Sequence, residues 1–254
     1  MRKMGCPRVL YAIAESYPFD AKLVRDMKQS VDSLLQLNLR RFRVPQQNLA
    51  KYSALDIVKQ ALELLFEFTP SEKNYREAMR TIQVYSEGDA EMQTTIQASF
   101  RLIANAVYNA YAGQRQAEAL APETLFLQGI PFQPDEMQRS FRVIGVKPPE
   151  VSPPSVRNTV FLDEGFEPYK AQLLGKSSEE EAEDERKEHW AEMILRNLGP
   201  TGRNLIRAGS KHIDPPGGLL RSFRSSNLSQ LLRKGGVEVQ VVDRIADVNV
   251  VFGK

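Results

Sequence analysis

The segment PRVLYAIAESYP, Pro7 to Pro18, decides how the rest of the chain is read. Pro7 suits the first turn of a helix, Val9, Leu10, Ile13 and Tyr17 then fall on one helical face, and Pro18 ends it. Taken so, the segment heads a series of helices. Asp20 is placed to cap the next, in which Leu23, Met27, Val31, Leu34, Leu35 and Phe42 recur at helical steps until Pro45. Ser53 with Asp56 opens a third helix with the face Leu55, Val58, Leu62, Leu65 and Phe66, and Thr69-Pro70-Ser71-Glu72 has the spacing of a capping box. A fourth helix carries Tyr75, Met79 and Ile82 and breaks at Gly88. Asp89 then caps a long, alanine-rich helix with the stripe Met92, Ile96, Phe100, Ile103, Val107 and Tyr111. The expectation is a mainly α protein whose residues 1–120 form an N-terminal antiparallel helical bundle.

From 121 to 175 the texture changes. Pro122, Pro131, Pro134, Pro148, Pro149, Pro153, Pro154 and Pro168, more than half of the 15 prolines, rule out continuous helix there. Phe126, Phe132, Phe141, Phe161, Phe166 and Tyr169 are interleaved with them, so the segment is expected to be an extended arm lying on the bundle or on a partner, interrupted by a short helix from Asp135 to Phe141. The third region, 176–254, begins with a helix from Ser177 to Leu198 whose acids crowd its N-terminal end, where the helix dipole favours them. A basic segment follows. Valine-rich sequence from Val237 to Phe252, with a turn at Asp243 to Asp247, is expected to close the chain as a small β-hairpin.

Lysine and arginine number 34 against 32 aspartate and glutamate, so the net charge of +2 creates no field that selects a partner class. The 42% apolar content supports a real core. Mean hydropathy is −0.39 and no apolar run reaches the roughly 20 residues of a membrane-spanning helix, which predicts an intracellular soluble protein with no transmembrane segment. The lone Cys6 excludes an intramolecular disulfide and a cysteine-based zinc site. Arg2, Lys3 and Arg8 precede the first acid, Glu15, in the manner of a mitochondrial presequence, although the stretch is short and poor in serine.

Catalytic chemistry is hard to build from this sequence. The two histidines, His189 and His212, stand in no metal-binding or acid–base motif. Gly199-Pro200-Thr201-Gly202 lacks the lysine and hydroxyl residue of a phosphate-binding loop, and the run from Glu179 to Glu188 has the pattern of a solvated helix face. The expectation is a protein that is not an enzyme and holds no metal or cofactor of its own.

Residues 8–70 resemble the LYR family of small mitochondrial three-helix proteins. Leu10-Tyr11 matches the start of the motif on the first helix, Arg40-Arg41-Phe42-Arg43 is similar to the end of the second, and 53–68 to the apolar third. Where the family has arginine after the tyrosine, this chain has Ala12. The resemblance implies a non-catalytic accessory or structural subunit of a large mitochondrial assembly, such as a respiratory complex, ATP synthase or the mitoribosome. It also implies acyl carrier protein, with its bound acyl chain, as a partner through Arg40, Arg41 and Arg43.

The alternative is RNA binding, by a ribosomal protein or a small viral nucleoprotein. Between 203 and 234, Arg203, Arg207, Lys211, Arg221, Arg224, Arg233 and Lys234 face a single acid, Asp214, and Phe223 is available for stacking.

Overall fold

The computed structural model describes residues 8–15, 20–37, 53–66, 72–86, 90–131, 134–150, 154–173, 183–199, 203–209, 212–213 and 228–241. Among them are eight helices and five strands, in two compact units. The protein is mainly helical, as expected, but its strands form a parallel sheet.

The helical unit comprises 23–108, 132–148 and 244–254. It contains α1 (Ala21–Gln36) from Leu23, α2 (Ala54–Phe66), α3 (Glu72–Tyr85), α4 (Ala90–Leu120) as far as Tyr108, and α5 (Pro134–Val143). One-sided apolar spacing predicts these helices, and the residues of the stripes are buried: Met27, Val31 and Leu34 on α1, Leu55, Val58 and Leu62 on α2, Ile96, Phe100 and Ile103 on α4. Leu35 departs from the expected stripe and is exposed. Helices α2 and α3 pack on one another. The start of α2 is the expected reciprocal cap: the Ser53 N–H donates to Asp56 Oδ2 at 2.8 Å, and the Asp56 N–H to Ser53 Oγ at 3.2 Å.

The α/β unit comprises 1–22, 109–131 and 149–243. Its sheet has the order β3-β2-β4-β1-β5, built from β1 (Arg8–Glu15), β2 (Thr124–Leu127), β3 (Asn158–Phe161), β4 (Asn204–Gly209) and β5 (Val237–Val241), all parallel. The segment expected as the first helix is therefore an inner strand, and Leu10 and Tyr11 lie on β1. Leu10 pairs with Asn204 on one side and Val239 on the other. The cause of the difference is burial on both faces: a strand covered on each side reads as an unbroken apolar run, without the alternation that marks a half-exposed strand. Leu10 and Ala12 enter one core with Phe126, Ile206 and Trp190. Ile13 enters the other with Leu125, Leu127, Leu205 and Ala117, and Tyr11 packs against it.

Two further expectations are corrected. The proline-rich region is not an arm, because 124–127 and 158–161 supply β2 and β3, while its aromatic residues Phe126 and Phe141 are core. The short helix expected there is α5. The terminal hairpin is also replaced: β5 pairs in parallel with β1, Arg8 opposite Val237, and the expected turn at 243–247 and second strand lie outside the described residues.

The chain leaves β1, passes β4 to enter at β2, and moves outward to β3; it then returns across β2 to β4 and crosses β1 to reach β5. Right-handed crossovers running in opposite directions lie on opposite faces of a sheet. Accordingly, Ala117 and Leu120 of α4 cover one face, whereas α7 (Glu183–Asn197) and α8 (Leu228–Lys234) cover the other through Trp190, Ile194, Leu228 and Leu232. A short α6 (Glu167–Leu173) follows β3. None of the described helices is long and apolar enough to cross a membrane.

The Ser53 backbone N–H holds the Asp56 carboxyl below its ordinary value of 3.8, with burial opposing more weakly. A carboxyl lowered in the folded state stabilises above the unfolded value, and that contribution is lost as pH falls through the folded one. Ser53→Ala should therefore cost about 1 kcal/mol at neutral pH. Asp56→Asn should be less stable than wild type at neutral pH and converge with it in acid, as read by urea unfolding. Equal separation of the two curves at both pH values would contradict the cap.

Candidate functional site

Connections leaving adjacent strands in opposite directions open a crevice at the carboxyl edge of a parallel sheet, and here β2 leads outward to β3 while its neighbour β4 leads the other way to β5. Each of the four inner and outer strands β1 to β4 is followed by a buried polar side chain: Asp20 after β1, Gln128 after β2, Asp163 after β3 and His212 after β4.

Asp163 is fully buried. Its Oδ1 accepts from Arg186 Nε and Trp190 Nε1, each at 2.7 Å, and its Oδ2 from Arg186 Nη2 at 2.7 Å and the Gly129 N–H at 2.8 Å. The backbone reciprocates, with the Asp163 N–H donating to the Gly129 carbonyl at 3.0 Å. Gly129 has φ of 98°, and a Cβ there would meet Asp20 Cβ at 2.9 Å, so glycine is needed both for the turn and for the close approach. The Arg186 guanidinium lies over the rings of Tyr169, at 4.4 Å, and Trp190, at 4.8 Å. Burial works against its charge, but the hydrogen bonds and charge of Asp163 outweigh burial and hold it above its ordinary value.

Asp20 Oδ2 accepts from the Tyr169 hydroxyl at 3.4 Å and from Gln128 Nε2 at 3.5 Å. Gln128 Oε1 in turn accepts from the Gly209 N–H at 2.7 Å, tying the ends of β2 and β4. Burial, then the charges of Asp20 and Asp163, push the Tyr169 hydroxyl far up, which keeps it a donor.

His212 completes the cluster. Its Nδ1 lies 2.8 Å from Glu183 Oε1 in the first turn of α7, and its ring meets Trp190 edge-on at 4.8 Å. Glu183 also lies 3.5 Å from Lys187 Nζ. Among the described residues no group of three His, Cys, Asp or Glu side chains is arranged to hold a metal ion.

Most of the residues singled out from sequence lie elsewhere. Leu10 is in the core, Tyr11 is half-buried, and Arg40, Arg41, Phe42 and Arg43 are outside the described residues, as are Lys211, Arg221 and Arg224. Arg203 is exposed at the entry to β4, and Arg233 and Lys234 are exposed at the end of α8. Arg207 is 3% exposed. Its Nη2 donates to the Asn109 carbonyl of α4 at 3.0 Å, and a Cβ on Gly113 would fall within 2 Å of the guanidinium. It is a packed cation beneath a helix, and buried there it has no surface to offer a phosphate.

Asp163, Arg186, Glu183 and His212 come from different connections and share no spacing, so nothing in the sequence groups them. The one signal was the single tryptophan, flanked by His189 in a helix whose acids were read as solvated. The chain matches no known family model, no curated protein and no solved structure.

Removing the Asp163 carboxylate would strand a buried guanidinium and an indole N–H. Asp163→Ala is expected to cost about 3–5 kcal/mol in chemical denaturation, and a loss below about 1 kcal/mol would contradict the cluster.

Proposed function

We propose that the α/β unit binds a small polar molecule at the carboxyl edge of its sheet, over β2 and β4, and that the Glu183–His212 pair exchanges a proton with it. The observation that carries this reading is the 2.8 Å approach of His212 Nδ1 to Glu183 Oε1 at the crevice of a doubly wound sheet. An imidazole close to a carboxylate is a side-chain pair suited to proton exchange. Trp190 holds the ring from the side and is itself anchored by Asp163. Several ionisable groups kept out of water at one sheet edge cost more than apolar packing would, which favours a working role over a structural one.

The accessory-subunit reading drew on an arm in need of a partner. With β2 and β3 taken from that region, and Phe126, Phe141, Phe166 and Tyr169 buried within the chain, the geometry favours the ligand-binding reading instead.

Histidine resonances are simple here because the chain has only two histidines. A panel of nucleotides, sugar phosphates, amino acids and carboxylic acids, screened by thermal shift, should contain a stabilising compound that also moves the His212 ring nitrogen signals. That shift should disappear in Glu183→Gln and His212→Gln. A compound that stabilises all three proteins equally, or a His212 signal indifferent to the whole panel, overturns the proposal.

A further inference from the structure

The opposite edge of the same sheet carries a different pattern. Arg157, Arg203 and Arg8 stand at the entries to β3, β4 and β1, and Arg196, Arg233 and Lys234 in the last turns of α7 and α8; all six are exposed. Asn158 and Asn204 both lie opposite Thr124, which puts Arg157 and Arg203 in one row with Glu123 between them, and Arg8 stands one residue further out on the next strand, since Leu10 lies opposite Asn204. With adjacent strands about 4.8 Å apart, the three arginine-bearing entries span about 14 Å. Acids near it are few: Glu123, half-buried between the entries of β3 and β4, and the exposed Glu238 on β5. Among the described residues, Arg157, Arg203, Arg233 and Lys234 form no ion pair.

Helix ends explain half of this pattern. Arg196, Arg233 and Lys234 sit where the helix dipole favours cations. Arg8 opens β1 and donates from Nη2 to the Gly235 carbonyl just past α8 at 3.3 Å, whereas Arg157 and Arg203 precede strands, whose dipoles are small, so capping gives no account of those two. We infer that this amino edge is a binding surface for the phosphodiester backbone of single-stranded nucleic acid. Three guanidinium forks within about 14 Å, with the cations of two helix ends on the same edge, suit a polymer that carries a charge on every unit. A membrane surface fits less well, because among the described residues the exposed large apolar ones, Leu35 and Val84, belong to the helical unit.

The contact must be made by side chains alone, because the helices present their negative carbonyl ends here. Affinity should then be low in sequence preference and steep in salt. Neutralising about four phosphates of a single strand gives a slope near −2.8, or a roughly 50-fold loss of affinity between about 50 and about 200 mM salt. Relative to the basic stretch in the sequence, this surface gains Arg8, Arg157 and Arg196 and loses the buried Arg207, while Lys211, Arg221 and Arg224 lie outside the described residues.

The test is fluorescence anisotropy of labelled oligouridylate and of the matching DNA with the full chain. The proposal expects binding of either polymer with that salt slope. It expects at least a tenfold loss in Arg157→Glu/Arg203→Glu at an unchanged melting temperature, and wild-type binding in Arg101→Glu/Arg139→Glu, which changes net charge equally in the helical unit. Absence of binding at the lowest salt, equal loss in both double variants, or equal affinity for phosphatidylserine vesicles overturns it. If the first variant melts early, Arg157→Gln/Arg203→Gln replaces it, with a shallower salt slope as the required result.

Discussion

A single buried carboxylate organises the carboxyl end of the sheet. Asp163 accepts from a guanidinium, an indole and a backbone amide, and so uses its lone pairs with nothing left for water. A charge so placed survives only while those donors stay. Through Gly129 it joins the end of β2 to the end of β3, and through Arg186 and Trp190 it seats α7 on the sheet. The Arg186 guanidinium then carries the Tyr169 ring of α6, and the Trp190 ring carries His212. Fixing one carboxylate thus fixes the neighbours of the proposed proton-exchanging pair.

What could be read in the sequence divides by the kind of burial. Helices buried on one face announce themselves, and the stripes of α2 and α4 and the Ser53–Asp56 cap appear where their spacing places them. Strands buried on both faces do not. Val9 to Ala14 is apolar throughout, so a helical face can be drawn through it as easily as a strand, and the flanking prolines suit either. The same ambiguity hid β2, whose Thr124 to Leu127 is buried at every position. Prolines in the 121–175 region were read as breaking structure, whereas they stand between short strands and helices. The site was illegible for a different reason: parallel pairing brings Asp20, Gln128, Asp163 and His212 together from distant parts of the chain, and pairing is not written in local spacing.

The two edges of the sheet are electrically unlike. Helices that pack antiparallel to the strands direct their N-termini to the carboxyl edge and their C-termini to the amino edge. At the first edge the ionisable side chains are buried and matched with one another, an arrangement suited to selecting a small molecule. At the second they are exposed and of mostly one sign, an arrangement suited to a long anion.

The state of the lone tryptophan decides whether this account stands. In a nitrogen-15 spectrum, the Trp190 indole N–H should be strongly protected from hydrogen exchange, with a protection free energy approaching that of global unfolding. An indole N–H that exchanges as fast as a solvent-exposed one would mean that Asp163 does not hold it, and the organisation of the carboxyl edge described above would be wrong.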